Sequence, residues 1–166
     1  QCLIYPMLDD RTCVTQSPNP VAGEFIWTRH NNHFGWSALL GHAPGAEGVS
    51  PYAAPARATD LAGLPPAFIA CPTLDLFIDE DIDYAARLAR AGAPVELIVY
   101  PGGFHGFDIF GGKAPIAAAS SSFSRFGRLM FLWEPVVLKT ASSIPVRFRT
   151  LSLAIPPNPS GTSVVV

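Results

Sequence analysis

The sequence predicts an α/β fold, and three segments carry that prediction. Pro66-Ala-Phe-Ile-Ala-Cys71 is a short continuous apolar run, the pattern of a strand buried on both faces. Asp79 to Ala91 reads as a helix, with acidic residues in its first turns and Arg87 and Arg90 in its last, the order that complements the helix dipole. Val95-Glu-Leu-Ile-Val-Tyr100 is a second, mostly apolar run. Two strands joined by one amphipathic helix make a βαβ unit, and therefore a parallel pair.

Each element has its own signals. Ile82, Ala85, Ala86 and Ala89, with Leu88 beside them, supply a narrow apolar stripe on the helix, and Gly92 stands where a helix stop is expected. The acidic run Asp79-Glu-Asp81 reads as a solvated helix start rather than a cation site. Gln1-Cys-Leu-Ile-Tyr5 reads as a third strand, ended by Pro6. Residues 9–65 are rich in Pro and Gly and read mostly as loop, with one short helix across Phe34–Leu40. Ala114 to Leu132 is expected to be a helix with Ile116, Phe123, Phe126, Leu129 and Met130 as its apolar residues. Residues 133–166 contain five prolines, little charge and no period, so no fold is assigned to them.

Composition narrows the function. The chain has 166 residues, long enough for one ordinary domain and a tail. Its formal net charge of −2 speaks against a nucleic-acid partner. No window of 18 apolar residues runs uninterrupted, so no membrane span is expected. The small total charge conceals a break, because residues 1–108 carry a net −7 and residues 109–166 a net +5. The chain begins at Gln1 with no visible signal peptide and reads as a fragment, with a cytoplasmic location as the default expectation. Cys2, Cys13 and Cys71 show no metal-ligand spacing, and an odd count argues against a complete disulfide framework; half-buried reduced thiols are expected.

The chemistry is expected at the carboxyl ends of the strands, where open α/β sheets bind ligands. Asp75 lies just past the first strand of the βαβ unit and His105 just past the second, thirty residues on. If the strands are neighbours, both side chains emerge on one edge, within reach of each other. A carboxylate accepting from the imidazole Nδ1–H fixes the tautomer and stabilises the imidazolium formed in proton transfer. Gly102, Gly103 and Gly106 give the His105 loop room to turn back over that edge.

Five blocks in order then resemble one family. They are Leu3-Ile-Tyr-Pro-Met-Leu-Asp9, Ser50-Pro-Tyr-Ala-Ala-Pro55, Asp60-Leu-Ala-Gly-Leu-Pro-Pro66, Leu74-Asp-Leu-Phe77 with Asp79-Glu80, and Val99-Tyr-Pro-Gly102 leading to Phe104-His-Gly-Phe-Asp108. Together they resemble the hormone-sensitive-lipase-like, fold-3 branch of the α/β-hydrolase esterases, over about residues 1–130. The resemblance implies the C-terminal half of such a domain, with a mostly parallel sheet, flanking helices and an unrelated irregular tail at 131–166. It implies Asp75 as the triad acid and His105 as the general base of a carboxylic-ester hydrolase, acting on small-molecule esters without metal or cofactor. The serine would sit in a G-x-S-x-G elbow upstream of the first strand, and no such elbow is in this chain. Gly35-Trp-Ser37 and Gly48-Val-Ser50 match half of that pattern and lack the second glycine. The chain alone is therefore expected to be inactive, with the missing N-terminal half as a partner. The alternative reading is a non-catalytic binding or scaffold fragment.

Other residues fit less specific roles. His30, His33 and His42 read as exposed loop histidines rather than a metal site. Trp27, Phe34 and Trp36 fit a pocket wall and plain core packing equally well. Pro72 stands where the family usually carries Gly, a change able to shift Asp75, and Ile78 replaces the usual Arg or Val. The tail reads as a frameshifted or miscalled reading frame, with a lineage-specific extension as the alternative.

Overall fold

The computed structural model describes the backbone of residues 1–120 and the side chains of residues 1–117. Three strands, β1 (Cys2–Ile4), β2 (Ala67–Pro72) and β3 (Val95–Tyr100), form a parallel sheet in the order β1-β2-β3. Ile69 lies between Leu3 on one side and Leu97 on the other. All six residues of β2 are buried, as a continuous apolar run at a sheet centre requires. β3 lies at the edge of this sheet and is less buried than its composition predicts, with Glu96 and Val99 exposed.

Strand alternation sorts the core into two layers. Ala67 and Ile69 point to one face, where they meet Tyr84, Ala85 and Leu88 of the helix α2 (Ile78–Arg90), together with Leu8, Ala56 and Leu61. Phe68 and Ala70 point to the other and pack with Tyr100 and Phe107. Phe107 opens the short helix α3 (Phe107–Phe110), which precedes α4 (Pro115–Ser120). The helix expected over 114–132 thus begins in α4; its remainder, and the tail, lie outside the described residues.

The helix α2 turns a different face inward than the alanine stripe predicts. Its buried side chains are Ile78, Glu80, Asp81, Tyr84, Ala85 and Leu88, whereas Ile82 is 42% exposed and Ala89 is exposed. Tyr84 and Leu88 remove more apolar area from water than Ala86 and Ala89 would, so they decide the rotation. That rotation carries two acidic groups inside. Glu80 and Asp81 are buried, so the run from Asp79 is not a solvated helix start; only Asp79 is exposed.

Between β1 and β2 the chain is pinned by polar contacts. The Glu80 carboxylate accepts from the backbone N–H of Leu8 at 2.6 Å and of Asp9 at 3.1 Å, and from the Thr12 hydroxyl. The fully buried Asp10 accepts from Arg57 through both carboxylate oxygens, at 2.7 and 2.9 Å. Burial pushes the Asp10 carboxyl up, but Arg57 and the Gly45 N–H outweigh it, and the net shift is downward. The helix in this region, α1 (Arg29–Leu40), starts five residues earlier than expected. Thr28 caps it by accepting from the Asn31 N–H, and Gly41 ends it in the left-handed conformation.

Candidate functional site

The carboxyl ends of β2 and β3 carry the two loops of interest, and the loops brace each other. Thr73 N–H donates to Tyr100 O at 3.0 Å, Leu74 N–H to Gly103 O at 2.8 Å, and Gly102 N–H to the Thr73 hydroxyl at 2.8 Å. Gly103 is required by this proximity, since a Cβ there would lie 2.8 Å from the Pro72 Cβ. Pro72 itself keeps the β2 register, opposite Tyr100, and its carbonyl accepts from the Asp75 N–H at 3.2 Å. The Pro-for-Gly difference does not carry the acid loop away from His105.

Asp75 is wholly buried and its two oxygens are used separately. Oδ1 accepts from the Phe77 N–H at 3.1 Å, an Asx-type turn that fixes the carboxylate plane. Oδ2 lies 2.9 Å from His105 Nδ1. Because an ionised carboxylate only accepts, this contact assigns the proton to Nδ1 and leaves Nε2 as the basic nitrogen. Gly106, at φ 71°, turns the chain directly after His105.

Aromatic rings enclose the imidazole. Tyr5 lies edge-on at 4.7 Å between centroids, Phe77 edge-on at 5.5 Å, and Trp27 tilted at 5.5 Å. The Tyr5 hydroxyl donates to Asp108 Oδ1 at 2.9 Å. Burial first, then the hydrogen bond and charge of Asp108, push the Tyr5 phenol up, so it remains a donor. Trp27 was one of three aromatic candidates, and the structure separates them. Phe34 is 73% exposed, and Trp36 is buried in a separate core with Cys13, Val49 and Ala54. Sequence reasoning gave no role to Tyr5, Phe77 or Asp108, although all three lie inside the quoted blocks. Their positions at the strand end and in the two loops were the available signal.

The remaining candidates lie apart from this pair. His30 and His33 are exposed on α1 rather than in a loop, and His42 is exposed after it. Among the described residues, no three His, Cys, Asp or Glu side chains cluster to hold a metal. Ser37 Oγ lies 3.5 Å from His33 Nδ1, and Ser50 Oγ accepts from the Tyr52 N–H in the Ser-Pro turn. Of the cysteines, Cys2 is exposed while Cys13 and Cys71 are buried, rather than all half-buried. Burial first, then the Asp81 and Asp75 charges, push the Cys71 thiol up to about 12, which removes it as a nucleophile at neutral pH. No helix among the described residues is long and apolar enough to cross a membrane.

A parallel sheet bearing an Asp–His pair on adjacent loops at its carboxyl edge defines a class of protein, the α/β hydrolases. A family profile described as alpha/beta hydrolase fold matches residues 1–109, and the chain belongs to that family. Esterase LipI of Mycobacterium tuberculosis is 41% identical over 69 residues, which are 42% of this chain and 22% of the relative. A solved bacterial heroin esterase is 36% identical with a TM-score of 0.63, covering 77% of this chain and 41% of its own. Esterase LipW of Mycobacterium marinum is 32% identical with a TM-score of 0.61, covering 78% and 39%. The chain thus spans about two-fifths of the length of these solved relatives.

Proposed function

We propose that the chain supplies the acid and the general base of a serine carboxylic-ester hydrolase. Asp75 is the acid and His105 the base, and the serine and oxyanion donors come from a segment preceding the family match. The observation that supports this best is the 2.9 Å contact from His105 Nδ1 to the fully buried Asp75, which leaves Nε2 free to work. In this reading Nε2 takes the serine proton as the hydroxyl attacks the ester carbonyl. The imidazolium returns that proton to the departing alcohol, and Nε2 then draws a proton from water as the acyl-enzyme is hydrolysed. Asp75 holds the Nδ1 tautomer throughout and stabilises the transient cation. These steps call on no cofactor, and the substrate is a small-molecule ester.

The chain alone, on this reading, turns over no ester. The test joins the N-terminal segment of the bacterial heroin esterase to Gln1 in a single polypeptide, so that docking is not limiting. That chimera is expected to hydrolyse a p-nitrophenyl short-acyl ester, and His105→Ala or Asp75→Asn is expected to lower its kcat by roughly 10³–10⁴-fold. Turnover by the unmodified chain that depends on His105 overturns the proposal. So does a folded chimera whose activity survives both substitutions. A folded chimera without activity would favour a binding or scaffold role for this half.

A further inference from the structure

The rings around His105 come from three distant parts of the chain: Tyr5 at the end of β1, Trp27 before α1, and Phe77 in the acid loop. Two of them are presented by backbone that L-residues avoid. Among the described residues, Tyr5 (φ 35°) and Ile26 (φ 58°) are the non-glycine residues with positive φ, and Ile26 immediately precedes Trp27. A β-branched residue is especially disfavoured in that region. Such conformations persist only where the surroundings over-determine them, and they gather at functional sites. Core burial does not account for the strain at residue 26, because Ile26 is 48% exposed and Phe25 53% exposed. What that turn does achieve is to set the Trp27 indole against the imidazole, with Nε1–H donating to Asn32 Oδ1 at 3.3 Å.

Tyr5 is anchored at both ends. Its backbone N–H donates to Ala70 O at 2.7 Å, and its hydroxyl donates to Asp108, three residues past His105. The strand end and the His105 loop are thereby tied on either side of the imidazole, whose side chain is 19% exposed.

We propose that Tyr5 and Trp27 are positioning residues for His105. With Phe77 they form an aromatic box that holds the imidazole plane on Asp75 and keeps water from the Nδ1–H···Oδ2 bond. The functional meaning of the box rests on the reading of His105 as the general base, but the box itself is testable without substrate. A Nδ1–H donated to a buried carboxylate gives a far-downfield proton resonance, whose exchange with solvent reports how well the bond is shielded.

The experiment follows this resonance in the full chain with ¹⁵N-labelled histidine, alongside the amide protons of Phe68 to Cys71 in β2. In the unmodified chain the resonance is expected to be present and slow to exchange. Trp27→Leu and Tyr5→Leu are each expected to speed its exchange at least ten-fold while the β2 amides stay protected. Trp27→Phe restores a ring and is expected to return most of the protection. Tyr5→Phe, which keeps the ring and loses the Asp108 bond, is expected to speed exchange two- to four-fold. Should Tyr5→Leu fail to fold, Trp27→Leu decides, because its side chain is only partly buried. Unchanged exchange in folded Trp27→Leu overturns the proposal, as does equal loss of protection in the β2 amides, which marks mere packing. Absence of the resonance in the unmodified chain overturns the box together with the held Asp75–His105 bond. A protected resonance in a chain whose chimera hydrolyses no ester removes the hydrolase reading alone.

Discussion

Asp81 is the most costly side chain in the described core. It is wholly buried, and neither carboxylate oxygen has a hydrogen-bond partner among the described residues. Burial first, then the charges of Glu80 and Asp75, push its carboxyl from 3.8 up to about 10, so it holds its proton at neutral pH. Neighbouring Glu80, pushed by burial up to about 8, has three donors and is the member of the pair that ionises first. The consequence has a definite sign. Above pH 3.8 the unfolded chain releases the Asp81 proton and the folded chain keeps it, so stability falls with rising pH until about pH 10. The slope is about 1.4 kcal/mol per pH unit for one such group. Asp81→Asn cannot ionise and is expected to gain up to about 6 kcal/mol at pH 8, the slope acting from pH 3.8 upward, and almost nothing at pH 4, read from urea midpoints. A variant no more stable than its parent at pH 8 sinks this account. None of this was legible from the residues. Three consecutive acids at a helix start satisfy the helix dipole in solvent, and only the bulk of Tyr84 and Leu88 turns Asp81 inward. The Asp75–His105 adjacency was legible, because one crossover helix and one strand consume the residues between them. The rings around His105 were not, since Tyr5 and Trp27 reach it across loops whose course no local periodicity encodes.

Among the elements, the strands were the most readable and the connection from β1 to β2 the least. β2 and β3 announce themselves as continuous apolar runs bounded by Pro and Gly, and their observed limits differ from the expected ones by a residue at most. The start of α1 was missed because its capping residue, Thr28, precedes a stretch with almost no apolar stripe; Asn32 and Trp36 are its buried residues. The long connection is organised by side chains reaching far along the sequence, and Glu80 is the clearest case. Its carboxyl accepts from two backbone donors, the buried Leu8 N–H and the partly buried Asp9 N–H. Glu80→Ala is therefore expected to cost about 2–4 kcal/mol, as two N–H groups lose their acceptor. Glu80→Gln keeps one carbonyl oxygen facing both and is expected to cost at most about half of that. Denaturant unfolding at pH 6, where Glu80 holds its proton in the folded chain, separates the two, and equal losses would sink the acceptor account of this position.

At the scale of the whole molecule, the described sheet is small for its kind. Parallel sheets occur with both faces covered and owe their stability to several buried strands. Here β2 is enclosed, while β1 contributes three residues at the edge of the described sheet. Phe25, Phe34, Ile109 and Phe110 are each more than half exposed, as is Val21. These exposed apolar side chains, and the open parallel edge of the described sheet, both favour association. On the function proposed above, β1 pairs with a further strand supplied by the N-terminal segment, and both features lead to the same expectation. The unmodified chain should bind an apolar dye such as ANS and change apparent size with loading concentration in light scattering. Joined to the N-terminal segment of the heroin esterase, the same residues should lose most of the dye binding, become monodisperse and melt at a higher temperature. Salt distinguishes the cause, because association through apolar surface persists or strengthens in sulfate, whereas pairing through surface charge weakens. If the unmodified chain is instead monodisperse, dye-free and no less stable than the chimera, three parallel strands suffice here. The exposed apolar side chains would then belong to a module that stands alone, and the Asp75–His105 pair would have to be explained within it.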